Sequence, residues 1–313
     1  MSFHCFHRPM VNVGMGGIGK TTTSCWVCRD EAIRSHFQWI VWVTLGQQPE
    51  LVKSMGSVYL QLTGRELQDT TVDDAKEMLR HAFRGKDVLL VCDDIWNSEH
   101  EAYLNFLDEA STNKSRCLLS SRVASVLEGS DIVEIGLPSQ NEAIQMLLYS
   151  AGVDAKASPP SQALEICRFC KMLPLHIGIA GKIIHSMAVE DGDWSGVVEE
   201  LQASGSQSVE DAIILSGIRS IPAAQRDGAA TLFQCFAFVP EDCKVPFEMM
   251  QLLLETQAAA AGSAPPTRLS LRRWLKLLID RSLVLGPIDA PSLHGERERH
   301  CLSLHCCCHS ARD

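Results

Sequence analysis

Gly14-Met15-Gly16-Gly17-Ile18-Gly19-Lys20-Thr21 fits the pattern G-x-x-x-x-G-K-[ST], and its reading decides the fold. Glycines at these positions let the chain wrap back so that successive backbone N–H groups point inward, a nest for phosphate oxygens. A helix that opens at the loop adds the positive end of its dipole. Lys20 is placed to reach β- and γ-phosphates, and the Thr21 hydroxyl to ligate Mg2+. The context fits: Met10 to Val13 reads as a short strand, and Lys20 to Ile33 as the helix that follows.

Further along, Trp39-Ile40-Val41-Trp42-Val43 and Val88-Leu89-Leu90-Val91-Cys92 are unbroken apolar runs, as expected of strands covered on both faces. Cys117 to Leu119 and Asp131 to Ile135 read as further strands, and Thr71 to Phe83 as an amphipathic helix with Thr71 and Asp74 at its start. Strands alternating with helices imply right-handed crossovers and a parallel sheet with helices on both faces. After about Leu137 helical patterns take over, opened by a Ser139/Glu142 capping box. A polar stretch near Ser204 to Ser208 reads as a linker, and Leu269 to Arg281 as a helix. Leu283 to Leu285 reads as a short strand of a small hairpin.

The second buried run ends in Asp93 and Asp94. Asp93 is expected to hold Mg2+, directly or through water, and Asp94 to orient or deprotonate an attacking water. Ligands in open parallel sheets sit beyond the carboxyl ends of the strands, so Arg122, after Ser120-Ser121, is placed to sense a γ-phosphate.

Composition narrows the classes. The 313 residues carry a net charge of −10, from 28 basic and 38 acidic side chains, a poor balance for a nucleic-acid partner. No apolar run is long enough for a bilayer, no export signal is visible, and 13 cysteines read as reduced thiols of a cytoplasmic protein. Cys25-x-x-Cys28 and Cys167-x-x-Cys170 lie in helical segments and read as core residues rather than zinc ligands. The tail with Cys301, His305, Cys306, Cys307, Cys308 and His309 has metal-like composition and no apolar periodicity. Arg268, Arg272, Arg273, Lys276 and Arg281, on or beside the 269–281 helix, invite a DNA-binding reading in a winged helix; with the overall acidity they read instead as a solvated face or a subdomain contact.

Taken in order, these elements resemble the NB-ARC domain of STAND ATPases, the group of plant NBS-LRR immune receptors and apoptotic protease activating factors. The resemblance rests on Gly14 to Thr22, Trp39 to Thr44, Leu89 to Trp96, Ser120-Ser121-Arg122 in place of Thr-Thr-Arg, Met172-Leu173-Pro174-Leu175 in place of Gly-Leu-Pro-Leu, and Phe238 to Asp242. It implies a nucleotide-binding domain over residues 1–136, a small helical subdomain over 137–205, and a winged-helix subdomain over 206–313, whose tail is expected to be disordered from its lack of apolar periodicity. It also implies a mechanism. ADP, cradled by Gly14, Met15, Gly16, Gly17, Ile18, Gly19, Lys20, Thr21 and Thr22, holds a closed state. Exchange for ATP opens it and allows a homo-oligomer to form, and weak hydrolysis resets it. Pro174 is then expected at the adenine or ribose, and His305 at the ADP β-phosphate. Two departures weigh against a complete site: Cys306 stands where the family has a carboxylate after that histidine, and only 13 residues precede Gly14. They suggest a truncated or stand-alone module and keep a degenerate nucleotide-free scaffold open, while Asp94 and Arg122 permit the other alternative, an ATPase that uses hydrolysis as its output.

Overall fold

β-Branched and aromatic residues in short runs pair here into one parallel sheet of five strands. The computed structural model describes residues 9–67, 70–104, 114–123, 130–154, 158–187, 194–203, 208–239, 244–284 and 301–303. The chain divides into two compact units, Met1–Gly136 and Leu137–Asp313.

In the first unit the elements run β1 (Met10–Val13), α1 (Lys20–Arg29), α2 (Glu31–His36), β2 (Trp39–Gly46), α3 (Leu51–Thr63), α4 (Val72–Phe83), β3 (Val88–Ile95), α5 (Ser98–Ala102), β4 (Arg116–Ser121) and β5 (Asp131–Glu134). The spatial order is β2-β3-β4-β1-β5. Strand β4 therefore lies between β1, which feeds the glycine loop, and β3, which carries the acidic pair.

Strand β3 explains why its sequence is apolar without alternation. Val88, Leu90 and Cys92 pack with Met55, Val58 and Leu62 of α3 and Ala75, Leu79 and Phe83 of α4. Leu89 and Val91 join Phe37 and Leu118, backed by Val27 and Ile33 from α1 and α2. Two buried faces demand apolar side chains at both parities. The sheet with helices on both faces is the P-loop NTPase architecture expected from the sequence.

The segment expected as one helix over Lys20 to Ile33 is two. Asp30 ends α1 and caps α2, its carboxylate accepting from the N–H groups of Ala32 at 2.9 Å and Ile33 at 3.2 Å. A short acidic side chain offers the backbone more as a cap than inside a helix. Thr71 caps α4 as expected, accepting from Asp74 N.

The second unit is built of α6 (Gln140–Ala151), α7 (Ala163–Phe169), α8 (Pro174–Ser186), α9 (Ser195–Ala203), α10 (Val209–Arg219), α11 (Ala223–Cys235), β6 (Lys244–Pro246), α12 (Phe247–Ala260), α13 (Arg268–Asp280) and β7 (Cys301–Ser303). One core cluster joins its helices and β6, from Ala143 and Leu147 through Ile177, Ile183 and Trp194 to Leu232, Val245, Met250, Leu275 and Val284. The Ser139/Glu142 capping box opens α6. Strands β6 and β7 pair antiparallel. Leu283 and Val284, expected in a strand, lie buried in a bend, and Leu285 falls outside the described residues. So do His305, Cys306 and most of the linker near Ser204 to Ser208. Among the described residues no helix is long and apolar enough to cross a membrane, and no group of three or more His, Cys, Asp or Glu could hold a metal ion. Cys167 and Cys170 are fully buried, and burial pushes the Cys167 thiol up to about 11 and that of Cys170 higher still, which fits packed, unreactive side chains.

Candidate nucleotide site at the carboxyl edge of the sheet

Val13 is buried at the end of β1, and the chain turns immediately through Gly14 to Gly19 into α1. Gly14 passes so close to its surroundings that a Cβ there would stand 3.0 Å from both Ile135 O and Ile18 Cγ2. Gly19, the residue before the helix, has φ +105°, in the left-handed region that a side chain disfavours. Ile18 is buried and anchors the loop from beneath, while Met15 and Gly16 are exposed at its rim. No side-chain hydrogen bond from Gly19 caps α1, and the helix opens directly at the loop. The buried amide of Asn12 donates to Ser24 Oγ at 3.2 Å and ties β1 to the helix the loop opens.

Lys20 is 8% exposed and folds back so that its Nζ donates to Gly14 O at 2.9 Å and Met15 O at 3.0 Å. Burial lowers its pKa, and the Arg122 guanidinium adds to that; Asp94 and Asp93 oppose them. The ammonium thus sits in the loop within the field of all three predicted charged partners. Thr21, one residue on, donates its hydroxyl to Asp93 at 3.0 Å from each carboxylate oxygen. Thr22 is exposed on the first turn.

Asp93 is buried and held from the other side by Ser120, whose hydroxyl donates to Asp93 Oδ1. The same Ser120 oxygen accepts from Asp94 N at 2.9 Å. That double role follows from an irregularity in the ladder. Cys92 pairs with Leu119 and Ile95 with Ser121, so β3 carries one residue more than β4 across this step. Asp94 takes up the extra residue with φ +56°. Adjacent residues of a regular strand point to opposite faces. The bulge breaks that alternation, and both carboxylates act on Lys20.

Arg122 follows β4 directly. Its Nε is 3.8 Å from Asp94 Oδ1, its Cζ lies 5.0 Å from the centre of the Trp96 ring, and a Cβ on Gly16 would stand 3.8 Å from its Nη1. Trp96 Nε1 donates to Asp94 Oδ2 at 3.1 Å. Lys20, Thr21, Asp93, Asp94 and Arg122, predicted from three separate stretches, therefore converge at one edge of the sheet.

The NB-ARC domain family model matches residues 7–152. This part of the chain is an NB-ARC domain. The family supports a nucleotide-binding role for it, and the convergent residues all lie inside the matched stretch. The chain is 27% identical over 217 residues to the TMV resistance protein N of Nicotiana glutinosa, covering 65% of this chain and 18% of that protein. It is 26% identical over 287 residues to a probable disease resistance protein of Arabidopsis thaliana, covering 88% of this chain and 33% of that one. The chain therefore spans a third or less of the length of these two relatives. Among solved structures it is similar to a STAND protein with a tetratricopeptide-repeat sensor from Pyrococcus horikoshii, with 15% identity, a TM-score of 0.48, and coverage of 88% of this chain and 37% of that one.

Two predicted site residues lie beyond the NB-ARC match. Pro174 is the first residue of α8, where its missing N–H costs nothing and its fixed φ suits the helix start. His305 is outside the described residues. Sequence reasoning gave no role to Ser120, Trp96 or Asn12. A hydroxyl at the end of the strand beside an acidic strand end was the available signal for Ser120. Nothing in the local pattern pointed to Asn12, whose partner Ser24 is a helical turn beyond the loop.

Proposed function

We propose that this chain is a regulatory nucleotide switch, resting with ADP, active with ATP, and reset by weak hydrolysis, in defence-type signalling. The observation that carries the reading is the seating of the Thr21 hydroxyl on Asp93 beside the buried ammonium of Lys20. A hydroxyl and a carboxylate are hard oxygen donors of the kind Mg2+ selects, and a lysine in a glycine loop is a point charge for phosphate. The residues present fit both groups. Thr21 and Asp93 would hold Mg2+, which neutralises phosphate charge when bound. Backbone N–H groups of Gly14 to Gly19 and the start of α1, through Thr22, would face the phosphates, with Lys20 at the β- and γ-positions. Arg122 would meet a γ-phosphate. Asp94 is engaged with the Trp96 N–H and lies near the Arg122 guanidinium, so as a base for water it works against existing partners. That engagement favours slow hydrolysis over an engine.

The rest of the proposal extends the resemblance to residues 137–205 as a helical subdomain and 206–313 as a winged helix. It also includes Pro174 at the base or ribose, His305 at the ADP β-phosphate, a homo-oligomer in the ATP state and a cytoplasmic location. The test is direct. One portion of purified protein is denatured and the released nucleotide identified by chromatography; a second portion, kept folded, is titrated with labelled adenine nucleotides and Mg2+. Stoichiometric ADP with turnover slower than about one per minute supports the switch, against typical enzymes at about 10 per second. Folded protein that carries no nucleotide and takes none up would end the reading.

A further inference from the structure

Arg122 is a long, one-third-exposed side chain at the rim of the loop, and such a guanidinium is ordinarily free to sample many rotamers. Here it is restrained from two sides. The Trp96 indole offers its face at 5.0 Å, and the Asp94 carboxylate stands 3.8 Å from Nε. Trp96 also fixes that carboxylate, donating Nε1–H to Asp94 Oδ2 at 3.1 Å. Asp94 in turn holds a left-handed backbone, φ +56°, a conformation that survives only when its surroundings over-determine it. Ser120 on its N–H and Trp96 on its carboxylate do so. One indole thus holds both members of the Asp94–Arg122 pair. It aims the guanidinium at Gly16, in the middle of the loop.

We infer that Trp96 is a positioning residue: by holding Arg122 over the phosphate loop it sets the preference for a nucleoside triphosphate over the diphosphate. The inference rests on the nucleotide reading above. The loop N–H groups and Lys20 suffice for a diphosphate. A further terminal phosphate is the group that a guanidinium held beside Gly16 would meet. An arginine freed from the indole would have to be ordered at the moment of binding, and only the triphosphate would lose by it.

The experiment titrates the full chain with a fluorescent ADP and a fluorescent, non-hydrolysable ATP analogue, each with Mg2+. Trp96→Leu is expected to weaken the triphosphate by about 3- to 30-fold, the range of a guanidinium–indole contact, with ADP affinity within about twofold of the parent. Trp96→Phe keeps an aromatic face and is expected to retain most of the preference. In an Arg122→Ala background Trp96→Leu is expected to change nothing further, because its effect passes through the arginine. Equal weakening of both nucleotides, an unchanged ratio, a Phe variant as impaired as the Leu variant, or an additive effect in the Arg122→Ala background each overturns the inference. A parent chain that binds neither nucleotide overturns the nucleotide reading itself. A parent that binds both, with no change of ratio in the variants, overturns the role of Trp96 alone.

Discussion

Thr21 Oγ1 stands 3.0 Å from each carboxylate oxygen of Asp93, across 72 residues of sequence. Nothing local brings them together. The parallel sheet does, by ending β1 and β3 at the same edge with the serine-bearing end of β4 between them. If the pair serves as a metal seat, Asp93→Asn keeps the shape and removes the charge. Parent protein is expected to bind nucleotide more tightly with Mg2+ than with chelator present. The variant is expected to lose at least about tenfold of that Mg2+-dependent gain while keeping its metal-free affinity. An undiminished response to Mg2+ in the variant would remove Asp93 from the metal site.

Lys20 supplies a pH prediction. Its pKa is lowered, chiefly by burial and then by Arg122, from the ordinary 10.5. Phosphate binding favours the charged amine, so its pKa rises in the complex. Affinity for ADP is then full below the lowered free-protein pKa and falls as pH climbs through it, by up to about tenfold per unit for one linked proton. Unfolded chain holds its proton more strongly than folded chain. Lys20 therefore costs the nucleotide-free protein stability below its folded pKa, and that cost is relieved as pH rises towards the unfolded value. Lys20→Arg, whose charge does not titrate in this range, is expected to flatten the alkaline fall in affinity that sets in below the ordinary lysine value of 10.5. Parallel profiles for parent and variant would mean that another group titrates.

Much of this site was legible because its chemistry forces residue types into short spacings. A loop that wraps phosphate needs its glycines, Lys20 and Thr21 within a few residues, and a strand buried on both faces announces itself as Val88 to Cys92. What was not legible depends on pairing between distant strands. The order β2-β3-β4-β1-β5 cannot be read from any window, and neither can the bulge that gives Asp94 its left-handed backbone, because two adjacent aspartates look the same with or without it. Ser120 was visible as part of a motif, but its grip on Asp93 appears only when β4 lies beside β3. The break at Asp30 is a different case: the capping residue stood in the sequence, but no glycine or proline between Lys20 and Ile33 marked the boundary.

In the second unit one glycine is closely overlaid by an aromatic ring. A Cβ on Gly228 of α11 would lie 2.1 Å from Trp274 Cζ2 of α13, a separation no real contact has. Gly228→Ala is therefore expected to push the indole or split the helix pair, destabilising by about 1–3 kcal/mol despite alanine's better helix propensity. Gly178 of α8 is the internal control, since a Cβ there meets nothing within 4 Å. Gly178→Ala is expected to stabilise by about 0.5–1 kcal/mol. Thermal unfolding of the two variants against the parent decides it, and midpoints shifted in the same direction would contradict the packing.

Arg281, grouped by the sequence with a solvated cationic face, is instead 5% exposed, because its guanidinium turns inward onto backbone and hydroxyl acceptors. A buried guanidinium is costly unless its donors are met. Here Nε donates to Ser220 Oγ at 2.8 Å, Nη2 to Ser220 O at 3.0 Å, and Nη1 to Leu277 O at 3.1 Å. Ser220 is the C-cap of α10, and Leu277 belongs to the last turn of α13. One cation therefore bridges the carbonyl-rich, negative ends of two helices, and these dipoles offset part of its desolvation. Burial still lowers its pKa, with Asp280 acting the other way. Arg281→Met keeps most of the apolar volume and removes all three bonds, leaving carbonyls without donors. It is expected to cost about 2–4 kcal/mol. Lysine keeps the charge but not the fork, so Arg281→Lys is expected to recover less than half of the loss. Urea denaturation of both variants measures it. A methionine variant within about 0.5 kcal/mol of the parent, the range of ordinary surface changes, would show that the bridge contributes nothing to the fold of this unit.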